Sequence, residues 1–268
     1  MLEQFSLTGR SALVTGGARG LGAAIAEAMS KAGASVVIGD ILDDLGRETA
    51  RNLAASGAKV GYVHLDVTKE PDWEAAAASV VQQTGGFDIL VNNAGIEVTA
   101  LISEIEVEGL RKMLDVNIVG TLLGLKHAFR AMRPGGPAGK GGSVVNIASV
   151  AATIAFPSIA AYSGTKSAVD RITRVAAAEG GKLGYGIRVN CIYPGLTPTE
   201  MGVKLAQDVV ALGLFPSIDA ALGHVVGLTP LGRMVEATEI ADAAVFLASD
   251  ASKFITGAGL PVEGGMGS

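Results

Sequence analysis

The sequence is poor in cysteine, in charge and in long apolar runs. Its single cysteine, Cys191, cannot form a disulfide within the chain, so a reducing compartment suits it. Charged residues make up 18% of the 268 residues and the formal net charge is -5, without the basic stripe of nucleic-acid-binding proteins. No stretch reaches the roughly 18 apolar residues of a membrane span, and the N-terminus lacks the pattern of a signal peptide. We therefore expect a soluble, cytoplasmic protein that binds neither nucleic acid nor a membrane.

Metal-binding patterns are also absent from the sequence. The three histidines, His64, His127 and His224, lie far apart, and no Cys/His spacing of the zinc-site kind occurs. We expect no metal at the functional site.

Glycine and apolar residues are abundant instead. The chain has 37 glycines and 49% hydrophobic residues, a composition that favours tightly turned βα units over a helical bundle. At a length of 268 residues, an α/β chain often forms a single unit. No repeat or linker interrupts the pattern, so we predict one domain over residues 1–268.

The first βα unit contains a glycine-rich turn. Residues 11–15 form a short apolar run, and a helical pattern follows the turn. Glycine permits a tight turn in which backbone N–H groups approach a pyrophosphate at the positive end of a helix. The pattern TGxxxGxG matches the common dinucleotide fingerprint only in mechanism. The predicted cofactor contacts in this turn are Gly16, Arg19, Gly20, Leu21 and Gly22.

An acidic residue follows the turn at the distance expected for ribose recognition. The second apolar run, residues 35–40, ends at Asp40, whose carboxylate can accept hydrogen bonds from the adenosine ribose and would repel the 2′-phosphate of NADP. Arg19 argues the other way, since its cation can attract a phosphate, unless it is an ordinary surface residue. We give Asp40 more weight and predict NAD, with NADP as the alternative.

Strand-like and helical segments alternate through the rest of the chain. Further strand-like runs occupy residues 59–67, 87–91, 143–149, 187–192 and part of 257–265. Asp66 falls at the end of the third run, where open parallel sheets bind ligands, and either contacts adenine or caps the next turn. After the fourth run, Asn92 to Gly95 supply two amides and a glycine, which can tie neighbouring loops together beside a cofactor.

Tyr162 and Lys166 are four residues apart and share one face of a predicted helix. An unperturbed tyrosine titrates near pH ~10, and a nearby ammonium lowers that pKa and prepares the phenol for proton exchange. An isolated pair of this kind is usually an ordinary surface pair. Ser149 lies at the carboxyl end of the fifth predicted strand, so it meets the same edge of the sheet.

Asn117 lies within a helical stretch from about Glu104 to Arg133. A buried amide is costly unless it is hydrogen-bonded, so Asn117 either braces a neighbouring backbone or holds a water. The segment 196–229 is apolar with few charges, which fits a lid over a pocket or an ordinary core-facing helix. Its apolar residues are Met201, Val203, Leu205, Val209, Val210, Leu212, Leu214, Phe215, Leu222 and Val225.

Taken in order, these motifs resemble the short-chain dehydrogenase/reductase family in its single-domain form, over essentially the whole chain. The matching segments are Thr15 to Gly22, Asn92 to Gly95, Asn117, Ser149, Tyr162 to Lys166 and Pro194-Gly195. One departure is Glu263 before the C-terminal glycines, where relatives frequently have Asp. The resemblance implies a doubly wound α/β fold of the Rossmann type, with a seven-stranded parallel sheet and helices on both faces.

The resemblance also implies a catalytic tetrad of Asn117, Ser149, Tyr162 and Lys166. Tyr162 would be the general acid/base and Ser149 would hydrogen-bond the substrate oxygen. Lys166 would bind the nicotinamide ribose and favour the phenolate, while Asn117 would hold a water in a proton relay. By the same resemblance, further cofactor contacts are Asp66, Val67, Asn93, Ala94, Gly95, Tyr162, Lys166, Pro194, Gly195, Thr197 and Thr199.

We therefore expect an NAD-dependent oxidoreductase that interconverts a secondary alcohol and a ketone. The apolar segment after Thr199 favours an apolar substrate, cyclic or steroid-like. The alternatives are an NADPH-dependent carbonyl or 3-oxoacyl reductase and, from another class, a non-catalytic nucleotide-binding redox sensor. Family members often form homotetramers through the helices near 104–133 and 162–184, and we expect the same here. Small residues suited to close helix packing, there or in the core, are Ala168, Ala176, Ala177 and Ala178. Glu97 and Tyr193 are polar residues near the expected pocket to which the sequence assigns no role.

Overall fold

Seven parallel strands form one sheet in a computed structural model that describes residues 3–55 and 57–267. The strands are β1 (Ser11–Thr15), β2 (Ser35–Asp40), β3 (Val60–His64), β4 (Ile89–Asn92), β5 (Gly142–Ile147), β6 (Ile187–Pro194) and β7 (Gly259–Val262). Their order is β3-β2-β1-β4-β5-β6-β7, so the direction of winding reverses between β1 and β4. The predicted doubly wound, single-domain fold is confirmed.

Helices cover both faces of the sheet. They are α1 (Gly20–Lys31), α2 (Asp43–Ala54), α3 (Glu70–Thr84), α4 (Val107–Leu114), α5 (Gly120–Met132), α6 (Ala160–Lys182), α7 (Glu200–Ala211), α8 (Ile218–Gly227) and α9 (Ala237–Ala248). Thr199 and Ser217 cap α7 and α8, because each hydroxyl accepts a backbone N–H from the first turn of its helix.

Successive strand residues pack into different cores. Val14 lies in the core beneath α1 and α9, whereas its neighbour Leu13 lies in the core beneath α3 and α5. Both side chains are fully buried. A parallel sheet covered on both faces needs apolar residues on both sides, which explains why its strands are apolar throughout rather than alternating. The fold thereby leaves the carboxyl edge of the sheet as the place for polar chemistry.

Several predicted boundaries differ from the structure. The third strand ends at His64 instead of Val67, because the chain leaves the sheet there and turns at Val67 and Thr68. The sixth strand continues to Pro194 instead of Ile192. The predicted helix over 104–133 consists of α4 and α5 joined by a π-helical turn, Asp115–Val119. The apolar segment 196–229 forms two helices, α7 and α8.

Candidate active site

One cavity of about 680 Å³ opens at the carboxyl ends of the strands. Every cofactor-binding residue that the sequence predicts lines this cavity, from the glycine turn to Thr199. The predicted catalytic residues Ser149, Tyr162 and Lys166 line it too. The volume lies in the upper part of the range of about 300–1,000 Å³ that is typical of small-ligand sites.

The glycine turn is shaped for a backbone-bound phosphate group. Gly16 has φ +62, which favours glycine, and a Cβ on Gly22 would collide with the carbonyl oxygen of Gly16. The side chain of the N-cap residue, Arg19, does not cap α1, and Gly20, Leu21 and Gly22 of its first turn line the cavity. The side-chain amide of Asn93 donates to the carbonyl oxygens of Thr15 (2.9 Å) and Gly16 (3.1 Å) and fixes the turn. These residues fit the pyrophosphate of a dinucleotide.

Asp40 is held rigidly at the end of β2. Its carboxylate accepts the N–H groups of Ala18 and Leu42, each at 3.0 Å, and the residue is only 8% exposed. A carboxylate has about four lone-pair sites, so two remain for ligand hydroxyls at the cavity. The position suits ribose recognition, and the two backbone contacts are features that the sequence did not reveal.

Asp66 serves the turn that follows β3. Its Oδ1 accepts hydrogen bonds from the backbone N–H and the hydroxyl of Thr68, at 3.0 and 2.7 Å. Burial raises the pKa of this carboxyl, but the Thr68 hydrogen bonds and the charges of Lys69 and His64 together lower it further, so the net shift is downward. Of the two roles open at the sequence level, turn capping is thus present, and Asp66 also lines the cavity.

Asparagines tie the central strands together at the carboxyl edge. The Asn92 amide donates to Asn146 Oδ1 on β5 at 2.8 Å, and the Asn146 amide donates to Thr173 Oγ1 on α6 at 2.9 Å. The Thr15 hydroxyl accepts the backbone N–H groups of Asn93 and Ala94, both at 3.0 Å, a contact that sequence reasoning missed. These bonds set the spacing between the glycine turn and α6.

Lys166 and Tyr162 project from the first turns of α6 toward Ser149. Lys166 Nζ lies 5.6 Å from the centroid of the Tyr162 ring and donates to the Ile147 carbonyl oxygen at 2.8 Å. Burial lowers the pKa of Lys166 to about 8. Lys166 is therefore still mainly an ammonium at neutral pH, directed at the end of β5.

The surroundings of Tyr162 oppose its ionisation. Burial raises the pKa of Tyr162 to about 12, a hydrogen bond from Ser149 lowers it, and the charge of Glu97 raises it. Ser149 Oγ also accepts the backbone N–H of Ala151 at 3.1 Å, which holds the hydroxyl at the end of β5. The site therefore holds a phenol, a hydroxyl and an ammonium together, the groups needed to move a proton to or from an alcohol oxygen.

Asn117 lies behind the cavity wall and braces it. It is 1% exposed, its Oδ1 accepts the Ile96 N–H at 2.9 Å, and its Nδ2 donates to the Ile96 carbonyl at 2.9 Å. The same Nδ2 donates to Thr165 Oγ1 at 3.0 Å. Of the two predicted uses of a buried amide, the structure shows backbone bracing, which joins the loop after β4 to α6.

The substrate end of the cavity is apolar and comes largely from α7, α8 and the loop after Ser149. Of the predicted lid residues, Val203, Val210 and Leu212 do not line the cavity. Those that do are Met201, Leu205, Val209, Leu214, Phe215, Leu222 and Val225. The segment from Val150 to Ala161, which its place between Ser149 and Tyr162 predicts as pocket wall, contributes Phe156 and Ile159 to the lining. Sequence reasoning did not single out Met266, which also lines the cavity and carries no chemical motif.

Glu97 and Tyr193, the two polar residues without an assigned role, lie in different parts of the structure. The Tyr193 hydroxyl donates to Asp170 Oδ1 at 2.6 Å, inside a small core cluster, and Tyr193 does not line the cavity. Glu97 lines the cavity, and burial raises the pKa of its carboxyl. Within residues 3–55 and 57–267, no group of three His, Cys, Asp or Glu side chains is arranged to hold a metal ion.

This fold and this site define an oxidoreductase that uses a nicotinamide dinucleotide. Residues 16–267 match the family model described as enoyl-(acyl carrier protein) reductase. The chain belongs to the short-chain dehydrogenase/reductase family, as the motifs predict.

Three curated relatives are named as dehydrogenases of ring compounds that carry hydroxyl groups. The chain is 38% identical to trans-4-hydroxycyclohexanecarboxylate dehydrogenase of Sinomonas cyclohexanicum, covering 95% of this chain and 91% of the relative. It is 40% identical to 2,5-dichloro-2,5-cyclohexadiene-1,4-diol dehydrogenase of Sphingobium indicum, with 97% of both covered. It is 39% identical to 3-alpha-(or 20-beta)-hydroxysteroid dehydrogenase of Mycobacterium bovis, covering 97% and 90%.

A solved structure supports the same assignment. The crystal structure of gluconate 5-dehydrogenase from Burkholderia cenocepacia, in complex with NADP and tartrate, superposes with a TM-score of 0.88. The two sequences are 33% identical, and the match covers 99% of this chain and 98% of that one. The predicted enzyme class, a dehydrogenase of alcohol-type substrates, is confirmed. Among the described residues no helix has the length and apolar character needed to cross a membrane.

Proposed function

We propose that the protein is an NAD-dependent dehydrogenase of secondary alcohols that interconverts an apolar, cyclic alcohol and its ketone. The observation that carries the proposal is the meeting of Ser149, Tyr162 and Lys166 at one end of a cavity whose other end is the glycine turn. A sensor needs only the nucleotide end, so the paired acid/base residues favour an enzyme over the sensor.

The bound nicotinamide supplies the hydride acceptor. The chain's own residues manage the proton. Tyr162 takes the proton of the substrate hydroxyl during oxidation and returns it during reduction, while Ser149 donates a hydrogen bond to the same oxygen. Because burial opposes the phenolate, the Lys166 ammonium is needed to stabilise that charge. Asn117 acts through Ile96 and Thr165, by holding the loop and α6 in register.

The Asp40 carboxylate and the Arg19–Glu200 ion pair favour NAD over NADP. Asp40 is fixed and largely buried at the cavity, where its carboxylate would repel a 2′-phosphate. Arg19, the residue that could attract that phosphate, forms an ion pair with Glu200. The alternative, an NADPH-dependent carbonyl or 3-oxoacyl reductase, is favoured by the NADP in the Burkholderia cenocepacia structure. Measured affinities for both cofactors separate the two.

An apolar, cyclic substrate follows from the residues of α7 and α8 that line the cavity. Their leucines, valines and aromatic ring offer area but few hydrogen bonds, which suits a ring system. The relatives named as dehydrogenases of a hydroxycyclohexane, a cyclohexadiene diol and a hydroxysteroid support a cyclic substrate.

The decisive experiment compares the wild type with Tyr162→Phe. Nicotinamide absorbance would report turnover with a panel of cyclic secondary alcohols, and a separate titration would report cofactor binding. We expect a loss of turnover of at least about a hundredfold, the contribution typical of a general acid/base, with cofactor binding retained. Turnover by Tyr162→Phe at the wild-type rate would overturn the assignment.

We also propose that the protein works as a cytoplasmic homotetramer. Large apolar side chains on α4 and α6 are solvent-exposed in the single chain, such as Val107 at 58% and Val175 at 57%. Of the small residues on α6, Ala177 is buried within the chain's own core, whereas Ala178 is exposed and available for close packing. Sedimentation of the purified protein tests the tetramer.

A further inference from the structure

The loop after β4 presents a carboxyl group to the substrate end of the cavity. Asn117 fixes this loop at Ile96 through the two 2.9 Å hydrogen bonds already described. At the other end, the Ala100 N–H donates to the Ser158 carbonyl oxygen at 2.8 Å. Glu97 lies between these two anchors. Asn117 also binds Thr165 on α6, so the contacts that position Glu97 also join its loop to the helix that carries Tyr162.

Ser158 adds to the rigidity of this arrangement. It has φ 69, a left-handed conformation that is uncommon outside glycine, and it is only 7% exposed. It belongs to the loop between Ser149 and Tyr162, so the second anchor also connects Glu97 to the catalytic residues. The loop carrying Glu97 is consequently a fixed wall of the cavity, held at both ends.

The Glu97 carboxyl has spare hydrogen-bonding capacity. The hydroxyl of Thr99 lies 2.8 and 3.0 Å from its two oxygens, and a hydroxyl has only one proton to donate. In the described part of the chain no lysine, arginine or histidine forms an ion pair with Glu97; the nearby Lys204 is paired with Asp208 on α7. A half-buried carboxyl facing apolar side chains is costly unless something else hydrogen-bonds to it.

Glu97 also lies within electrostatic reach of the reaction. Its charge acts on the Tyr162 phenol, although no hydrogen bond links the two residues among the described contacts. A substrate whose carbinol oxygen meets Ser149 and Tyr162 shares the cavity with Glu97. Nothing in the packing of the loop requires a carboxylate at this position, since Thr99 is its only hydrogen-bonding partner in the described chain.

We propose that Glu97 accepts a hydrogen bond from a second hydroxyl group of the substrate, so that the preferred substrates are cyclic diols. This inference rests on the proposed function, because it assumes that Ser149 and Tyr162 receive the reacting carbinol. A single alcohol offers the Glu97 carboxyl no hydrogen bond in addition to that of the Thr99 hydroxyl. A substrate with a carboxylate in place of the second hydroxyl meets a like charge.

The test measures kcat/KM with NAD for three related rings: cyclohexanol, trans-cyclohexane-1,4-diol and trans-4-hydroxycyclohexanecarboxylate. For each variant, kcat/KM for a substituted ring is divided by kcat/KM for cyclohexanol, which gives a diol ratio and a carboxylate ratio. A general loss of activity affects both values equally and so leaves the ratios unchanged. For the wild type we expect a diol ratio of about tenfold or more, because a hydrogen bond to a charged group is among the stronger ones. We expect the carboxylate ratio to lie below one.

Two variants separate the hydrogen bond from the charge. Glu97→Leu removes both, so the diol ratio should fall to near one. Glu97→Gln keeps an acceptor oxygen without the charge, so it should retain a diol preference while the carboxylate ratio rises. Glu104→Gln, an exposed acidic residue beyond the same loop, is the matched control and should leave both ratios at the wild-type values.

The possible failures are distinguishable. Turnover of all three rings with a diol ratio that Glu97→Leu leaves unchanged would overturn the role of Glu97 and leave the proposed function standing. No turnover of any ring or other cyclic alcohol by the wild type would overturn the proposed function and the inference with it. If Glu97→Leu does not fold, an unchanged carboxylate ratio in Glu97→Gln overturns the role of Glu97.

Discussion

Arg19 in the glycine turn and Glu200 in the first turn of α7 form an ion pair. The two residues come from distant parts of the sequence, and both line the cavity. The pair therefore connects the cofactor end of the site to the first of the two helices that cover the substrate end. Because Glu200 binds the Arg19 guanidinium, that cation is less available to the 2′-phosphate of NADP.

Glu200→Gln should improve the use of NADP. Both partners are largely exposed, so the ion pair that Arg19 loses in this variant contributes only about 1 kcal/mol. That free energy corresponds to a change of about fivefold in the ratio of the KM values for NADP and NAD. Steady-state kinetics with both cofactors measures that ratio. Glu27→Gln removes the same charge from α1 away from the cavity and should leave it unchanged. A ratio that is the same in Glu200→Gln and wild type would show that Arg19 is not withheld from phosphate.

Asp40→Asn should weaken the discrimination against NADP by about tenfold or more, because it removes the charge nearest the expected 2′-phosphate. Asparagine keeps an oxygen for one of the two backbone N–H groups, so the turn is less disturbed than by alanine. Binding titrations with NAD and NADP give the result. Asp44→Asn, an exposed neighbour outside the cavity, is the control. Equal discrimination in Asp40→Asn and wild type would mean that Asp40 does not select the cofactor.

Ser149→Ala should shift the pH profile of alcohol oxidation toward higher pH. The Ser149 hydrogen bond lowers the pKa of Tyr162, so its removal raises that pKa, and the phenolate that accepts the proton forms later as the pH rises. The rising limb of log kcat/KM against pH reports this shift, alongside a large fall in rate. Ser163→Ala, a neighbouring serine on α6 outside the cavity, should keep the wild-type profile. A fall in rate with an unmoved limb would contradict this coupling.

Asn117→Ala should lower both stability and turnover. The substitution leaves the N–H and the carbonyl of Ile96 without their partner, which costs about 1–3 kcal/mol of unfolding free energy. Urea denaturation measures this cost. Thr165→Val removes one of the amide's three hydrogen bonds and the bond from the Thr165 hydroxyl to the Tyr162 carbonyl oxygen. It leaves both Ile96 groups with their partner and should cost less. An Asn117→Ala protein with the wild-type denaturation midpoint would argue against bracing as the role of the amide.

His127 should make the protein less stable in mild acid. Burial lowers the pKa of His127. Its Nε2 has no hydrogen-bonding partner in the part of the chain that the structure describes, and that atom lies 3.5 Å from Glu70 Oε1. The unfolded chain therefore binds the proton more readily, and stability falls as the pH drops below about 6.5, by at most about 1.4 kcal/mol per pH unit. Denaturation at several pH values between 7.5 and 5.5 should show a smaller slope for His127→Phe. The exposed His224→Gln should keep the wild-type slope, and an equal slope in His127→Phe would exclude His127 as the cause.

Local pattern predicted the sheet and most of the cavity wall. The apolar runs that became β1 and β2 were identified residue for residue, because each lies between turns and is buried on both faces. The ordered motifs placed the glycine turn, Ser149, Tyr162 and Lys166 at one edge, since parallel strands share that edge. The π-helical turn at Asn117 was not predictable, because one added residue in a helical turn barely alters the apolar spacing.

Long-range polar contacts were the larger part of the structure that the sequence did not predict. The pairing of Arg19 with Glu200 and the anchoring of Ala100 on Ser158 depend on how distant segments meet, which no local period encodes. For the same reason the sequence could not separate Glu97, in the cavity, from Tyr193, in the core. The difference between those two residues is decided by Asp170, a half-buried residue whose carboxylate accepts the Tyr193 hydroxyl.

Helices α7 and α8, which line the apolar end of the cavity, are separate from the parts that hold the fold together. In the described chain, the core clusters on the two faces of the sheet contain no residue of α7 or α8. A truncation in those cores would cost about 2–5 kcal/mol, whereas a change at the cavity face of α7 or α8 carries little of that penalty. We therefore expect mutations on this face of α7 and α8 to alter which substrate is accepted while the chain still folds. Such evolvability is in keeping with relatives about equally similar to this chain that are named for different ring alcohols.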